Sequence, residues 1–253
     1  NIQTVQLYLN DNQLAYPVLS LNGGDKLNLD FDDLDANVKN YYYTYQLCNA
    51  DWTPVQISSF DYIRGFAQNP IRDYHYSSIA LTRYTHYHVV LPEQGAVITR
   101  SGNYLLKVFL DNDTAKLAFT KRMLVVDNAV SIAGQFFQPM NPQVSQTNQK
   151  IQFNVNSRAL SLVNPFQQLK VVLLQNHRWD NAIYIDKPSF YSGNNFEYNS
   201  DDIPVFPGGK QWRWLDLQSF RYQSDRVAKA DYLPKSTTIY VKPDPDRSAQ
   251  PYY

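Results

Sequence analysis

The chain has little of what many catalytic and binding chemistries require. A single cysteine, Cys48, rules out an intrachain disulfide, and within the strand-like YYYTYQLC it reads as a small buried hydrophobe. Only nine glycines are spread over 253 residues, and none forms a phosphate-cradling loop. No Gly-Xaa-Ser-Xaa-Gly elbow and no Cys–His pairing is present. Neither charge sign is in excess: 23 basic and 23 acidic residues give a formal net charge of zero. With no Lys/Arg stripe, nucleic-acid binding is not expected, nor is a general attraction to anionic lipid. No apolar run approaches the roughly 18–20 residues of a membrane helix. No signal-peptide pattern stands at Asn1, as expected of a processed or trimmed N-terminus.

What the chain does have is aromatic residues and prolines. Twenty tyrosines, thirteen phenylalanines and four tryptophans favour pleated, half-buried surfaces. Fourteen dispersed prolines suit turns and edge strands and would interrupt long helices. Alternating segments predict strands at Thr4–Leu9, Tyr16–Leu21, Lys26–Phe31, Tyr41–Cys48, Tyr84–Leu91, Tyr104–Leu110 and Leu117–Val126, with Asp111–Thr114 as a hairpin turn. Residues between Trp52 and Tyr62 read as an ordered loop packed by its own aromatics.

A second series predicts strands at Val130–Phe137, Lys150–Asn156, Leu169–Leu174, Asn195–Tyr198, Gln211–Leu217 and Thr237–Val241, with at most a helical turn at Asp225–Ala230. Within Leu169–Leu174 both faces are largely apolar through Val171–Leu174, as for the centre of a sheet, and Trp179 after it is large enough to anchor a core. The expected fold is therefore all-β: two tandem β-sandwiches, immunoglobulin- or fibronectin III-like. The first spans residues 1–127 and the second 128–253, the latter ending in the Pro/Asp/Tyr-rich tail Lys242–Tyr253.

Candidate chemistry is sparse. His86 and His88 lie at i, i+2 on one strand face, where two imidazoles can share a metal, but the sequence near them supplies no third ligand. His75 and His177 are isolated. Asp30, Asp32, Asp33 and Asp35 form an acidic cluster, and Asp111, Asn112 and Asp113 another; neither has EF-hand spacing, and turns are rich in Asp and Asn for backbone reasons. Trp52, Trp179, Trp212 and Trp214, with Tyr41–Tyr43 and Phe136-Phe137, read either as core or as a stacking platform for sugars. Trp212 and Trp214 are expected on one face of a strand. Tyr42 is expected opposite Tyr41 and Tyr43 in the pleat. No catalytic residue, cofactor site or metal site is assigned.

Four segments carry a family resemblance: NPFQQLKVVLLQNHRWDNAI (Asn164–Ile183), DDLDANVKNYYYTYQLCNADWTP (Asp32–Pro54), SGNYLLKVFLDND (Ser101–Asp113) and VFPGGKQWRWLDLQSFRYQSDRV (Val205–Val227). In this order and spacing they resemble the N-terminal part of the plug proteins of the type IX secretion system, periplasmic β-sandwich proteins of the Bacteroidota. The resemblance implies a non-enzymatic, cofactor-free subunit. It implies a partner, the large outer-membrane translocon β-barrel, whose pore is sealed from the periplasmic side when idle. It also implies a periplasmic location, peripheral to the outer membrane without a transmembrane segment, and a longer protein with a further C-terminal part. No contact motif carries over, so no binding residue is named. The alternatives are a glycan- or ligand-binding sandwich module, or an accessory domain of a polysaccharide-degrading enzyme. Far-UV circular dichroism tests the fold: helix above about a quarter of the chain would overturn the two-sandwich reading.

Overall fold

Alternation on the sequence becomes two facing sheets in the first half of the molecule. The structure is a computed structural model, and it describes residues 1–201, 203, 205–217, 224–234 and 236–245. Strands hold 46% of the described residues and helix 3%, so the chain is all-β, as expected. It divides into two compact units, Asn1–Asn128 and Ala129–Tyr253.

Eleven strands make the first unit. They are β1 (Ile2–Leu9), β2 (Val18–Ser20), β3 (Leu27–Asp33), β4 (Tyr41–Cys48), β5 (Ile63–Gly65), β6 (Asn69–Pro70), β7 (Asp73–Tyr76), β8 (Thr85–Leu91), β9 (Ala96–Ile98), β10 (Gly102–Leu110) and β11 (Leu117–Val126). One sheet runs β1-β3-β8-β7 and the other β2-β11-β10-β4-β6, with β5 and β9 forming a small ribbon. Pairing is antiparallel except where β2 joins β11 in parallel. The connection from Trp52 to Tyr84, read from the sequence as largely irregular, contains a 3-10 turn at Ser59–Asp61 and three short strands. These strands are too short to show alternation.

Every second residue of β3, β4, β8 and β10 enters the core between the sheets: Leu27, Leu29 and Phe31; Tyr41, Tyr43 and Tyr45; Tyr87, Val89 and Leu91; Tyr104, Leu106 and Val108. Tyrosine is an unusual core residue because its hydroxyl must find a partner once dehydrated. Here the rings lie inside while each of several hydroxyls reaches the rim. Tyr41 donates to Asp33 at 2.9 Å, Tyr43 to Glu93 at 2.6 Å, and Tyr104 to the Arg100 carbonyl at 2.8 Å. The Tyr87 hydroxyl accepts from the Lys39 amide at 2.8 Å. The rings interlock: Phe31 stacks on Tyr87 and meets Tyr41 edge-on, both with centroids 5.0 Å apart. Tyr42, between Tyr41 and Tyr43, turns to the other face and stacks on Phe109, as the pleat requires.

The hairpin at Asp111–Thr114 is built as the sequence suggests. Asp111 and Asn112 both adopt positive φ, and the Asp113 amide closes onto the Leu110 carbonyl at 3.0 Å, a primed turn that matches strand twist. In β1 the register shifts between Gln3 and Gln6, where Thr4 sits at φ 51° and its hydroxyl donates to Asp32.

The second unit has strands β12 (Ser131–Phe137), β13 (Asn148–Asn156), β14 (Val171–Leu173), β15 (Ile183–Ile185), β16 (Phe190–Ser192), β17 (Asn195–Tyr198), β18 (Phe206–Pro207), β19 (Val227–Leu233) and β20 (Ser236–Val241). The main sheet runs β12-β13-β17-β16, with β18 pairing β13. Its inner face carries Phe153, Val155, Phe196 and Tyr198, with Phe153 and Tyr198 stacked at 4.6 Å. Val171 and Leu173 of β14 and Ile185 of β15 pack on that cluster. Lys150 is buried, and its Nζ reaches the Asp201 carboxylate at 2.6 Å.

Four expectations change here. Leu169–Leu174 does not form a central strand: β14 has three residues and pairs, among the described residues, with β15 alone, because Pro165–Gln168 makes a short helix just before it. Trp179 is half-buried and lies outside the core cluster. Gln211–Leu217 is extended chain without a ladder partner, and Asp225–Ala230 is a turn leading into β19. Parts of the Val205–Val227 and Lys242–Tyr253 segments, residues 218–223 and 246–253, lie outside the described residues.

Asp33 offers the sharpest test of the first core. Burial by itself would raise its pKa. The Lys39 ammonium at 2.7 Å, the Asp35 amide and the Tyr41 hydroxyl outweigh burial and hold the carboxyl below its ordinary value. The resulting stabilisation is fully present above the unfolded carboxylate pKa of about 4 and is lost as pH falls through the lower folded value. Tyr41→Phe should cost about 1–3 kcal/mol in urea denaturation at pH 7. The stability gap between the wild type and Asp33→Asn should narrow below about pH 4; a gap independent of pH would refute the ion-pair account.

Candidate interaction surface

The outer face of the β1-β3-β8-β7 sheet gathers the polar side chains singled out in the sequence. His86 and His88 do share one face, half-buried, because Tyr87 between them points into the core. The sheet register places Asp32 opposite His86 and Asp30 opposite His88. An ionised carboxylate can only accept, so each imidazole Nδ1–H donates to its carboxylate, at 2.7 Å in both pairs. Asp30 also accepts from the Tyr8 hydroxyl at 2.7 Å and lies 3.4 Å from His86 Nε2. Burial and, next, the hydrogen bond to Asp30 push the Tyr8 pKa up to about 12. On the neighbouring strand His75 stands opposite His86 and Asp73 opposite His88.

Chemically this is a polar ladder whose members satisfy one another. The oxygen lone pairs that a cation would use are taken up by imidazole, phenol and the Thr4 hydroxyl. Among the described residues no group of three or more His, Cys, Asp or Glu side chains is arranged to hold a metal ion. The acidic cluster does not converge either. Asp30 and Asp32 face out to the histidines, Asp33 is buried beneath Tyr41, and the exposed Asp35 pairs with Lys39 and Asn1. Near Asp111 the contacts are those of a turn: Asp111 pairs with Lys116 at 3.0 Å, and Asp113 accepts from the Ala115 amide. Cys48 is buried, and burial pushes its thiol pKa up, away from nucleophilic chemistry.

The tryptophans divide by role. Trp52 is buried at a turn with φ 68° and carries the Arg122 guanidinium 4.7 Å from its ring centroid. Trp212 and Trp214 are 73% and 59% exposed, and the indole N–H of Trp212 donates to the Asn176 carbonyl at 3.4 Å. They do not form the expected strand face, since both stand on extended chain. Two further exposed apolar features were not legible as surface: Ile79 and Leu81 in the β7–β8 loop, and the whole length of β12. Aliphatic residues near strands read as core in a sequence, and only the fold places them outside. The double variant Trp212→Ala/Trp214→Ala should change urea-denaturation stability by less than about 0.5 kcal/mol, as for exposed residues; a loss of more than about 2 kcal/mol would mean that both rings are core.

Residues 2–127 match the family described as type 9 secretion system plug protein, 1st domain. Among solved structures, the crystal structure of a hypothetical protein from Parabacteroides merdae is similar to this chain, with a TM-score of 0.83 and 26% identity. The similarity covers 98% of this chain and 66% of that one, so the chain spans just under two thirds of that relative's length. The comparison with curated proteins gives no match.

Proposed function

Because the first domain of this chain belongs to the type 9 secretion system plug protein family, we propose that the protein is the periplasmic plug of that system. In this reading it docks on the large outer-membrane translocon barrel and seals the pore between export events. The observation that carries the proposal is the family match over the whole first unit. The molecule's physical character supports it. A seal needs a stiff body and a broad polar contact surface, with no need for a reaction centre. The interlocked tyrosine core supplies stiffness, since Tyr41 and Tyr43 are held by packing within the core and by hydrogen bonds at their hydroxyls. The His–Asp ladder supplies a polar face with side chains already ordered, which lowers the entropy cost of docking. Balanced charge suits reversible contact through many moderate polar interactions. No helix among the described residues is long and apolar enough to cross a membrane, and a peripheral subunit needs none. Under this proposal the protein performs no catalysis.

A second reading draws on Trp212 and Trp214: two exposed indoles can stack on pyranose rings, as in a glycan-binding module. One experiment separates the two. The tagged, full-length protein is recovered from gently solubilised outer membranes of its own organism, and co-purifying chains are identified by mass spectrometry. A very large β-barrel in near-equal amount is the expected result. Its absence, together with retention of the protein on a glycan column, would replace the plug with the binding module.

A further inference from the structure

The strand β12 is an open edge of a kind that folded proteins avoid. In an antiparallel strand every second residue turns its N–H and C=O away from the partner. On the side of β12 away from β13, no described residue takes up these groups. All seven of its residues are exposed. Its sequence, Ser-Ile-Ala-Gly-Gln-Phe-Phe, has no charge and no proline. Several other edges carry the usual protection: β16 is three residues long, β6 is two with a proline, β7 carries Asp73 and His75, and β1 is broken by a register shift; β20 is, like β12, uncharged and free of proline, but shorter. Moreover, the inner face of this sheet continues into β12. Register puts Ile132 beside Val155, Gly134 beside Phe153 and Phe136 beside Ile151, yet Ile132 is 67% and Phe136 62% exposed. The missing Cβ of Gly134 leaves room for Phe153, since a Cβ there would lie 3.2 Å from that side chain.

A row of free backbone groups accepts only another extended backbone, and this strand is complementary to itself. Antiparallel pairing about a two-fold axis through Gly134 sets Ile132 against Phe136 of the second copy, on the face that already carries the core. It sets Ser131 against Phe137 and Ala133 against Gln135 on the other face. Apolar cross-strand pairs form at both symmetric positions, and no like charges meet. We propose that two copies of this chain associate edge to edge through β12, joining their second-unit sheets into one continuous sheet. A single strand pair buries less than the roughly 1,200 Å² of a standard interface, so the dimer is of moderate affinity and dissociates on dilution.

Sedimentation equilibrium of the full chain tests this. The wild type should pass, between about 1 and 300 µM, from the 29.3 kDa monomer to a species of twice that mass. Ile132→Lys/Phe136→Lys should weaken dimerisation at least tenfold, because the lysines of the two copies are set against each other across the two-fold axis as like charges, while leaving the thermal melt in place since both positions are exposed in the monomer. Ile132→Glu/Phe136→Glu should do the same. Mixing the two variants should restore a heterodimer by opposite charge, a readout that a general loss of stability does not produce. A wild type that stays monomeric throughout the range, or a dimer that persists in both charged variants, overturns the proposal. Neither result bears on translocon docking, which the membrane co-purification reads separately.

Discussion

The first unit depends on one constraint: a tyrosine ring gains by burial, and its hydroxyl loses by it unless paired. Tyr41, Tyr43, Tyr87 and Tyr104 meet both demands by lying across the sandwich with their hydroxyls at its rim. This geometry couples the two sheets. Tyr41 on β4 is tied to Asp33 at the end of β3, and Tyr43 on β4 to Glu93 beyond β8. An aliphatic core would fill the same volume without fixing which strand faces which. The hydrogen bonds penalise any register slip, since a slip of one residue would strand buried hydroxyls and the buried Asp33 carboxylate.

The same pleat that sends tyrosines inward lays the His–Asp ladder outside. Phe31 and Tyr87 are core residues, so Asp30, Asp32, His86 and His88 are obliged to share the opposite face. The polar surface is thus a consequence of the core and inherits its rigidity. Under the proposed docking role, a pre-ordered face is more useful than a reactive one. The second unit is built differently. Among the described residues its core is smaller, its strands are shorter, and its apolar face runs out to an edge that no described strand covers. That contrast makes the second unit the natural place for the added strand proposed above.

Much of the first unit was legible residue by residue. Tyr41–Cys48 and Leu117–Val126 stand where alternation puts them, because long strands with one buried face imprint period two on the chain. The same rule failed at Leu169–Leu174, where an apolar run is a short hairpin arm, and at Gln211–Leu217, where spaced tryptophans lie on extended chain. Short apolar runs do not say how many neighbours they will have. The histidine pair was visible at i, i+2, but its partners were not: Asp30 and His88 are 58 positions apart, and only strand register brings them together.

The sequence by itself determined the all-β class, the placing of Tyr42 on the face opposite Tyr41 and Tyr43, the hairpin turn at Asp111–Thr114 and the resemblance to the family whose first domain residues 2–127 match. These follow from local rules of pleat, propensity and turn geometry, and from wording that runs along the chain. Only the tertiary structure decided which carboxylates accept from which imidazoles, that Asp33 is buried while Asp35 is not, and that β12 ends its sheet with no described residue beyond it. Those outcomes depend on contacts between residues distant in the chain, and no local pattern encodes which strand will stand at the edge.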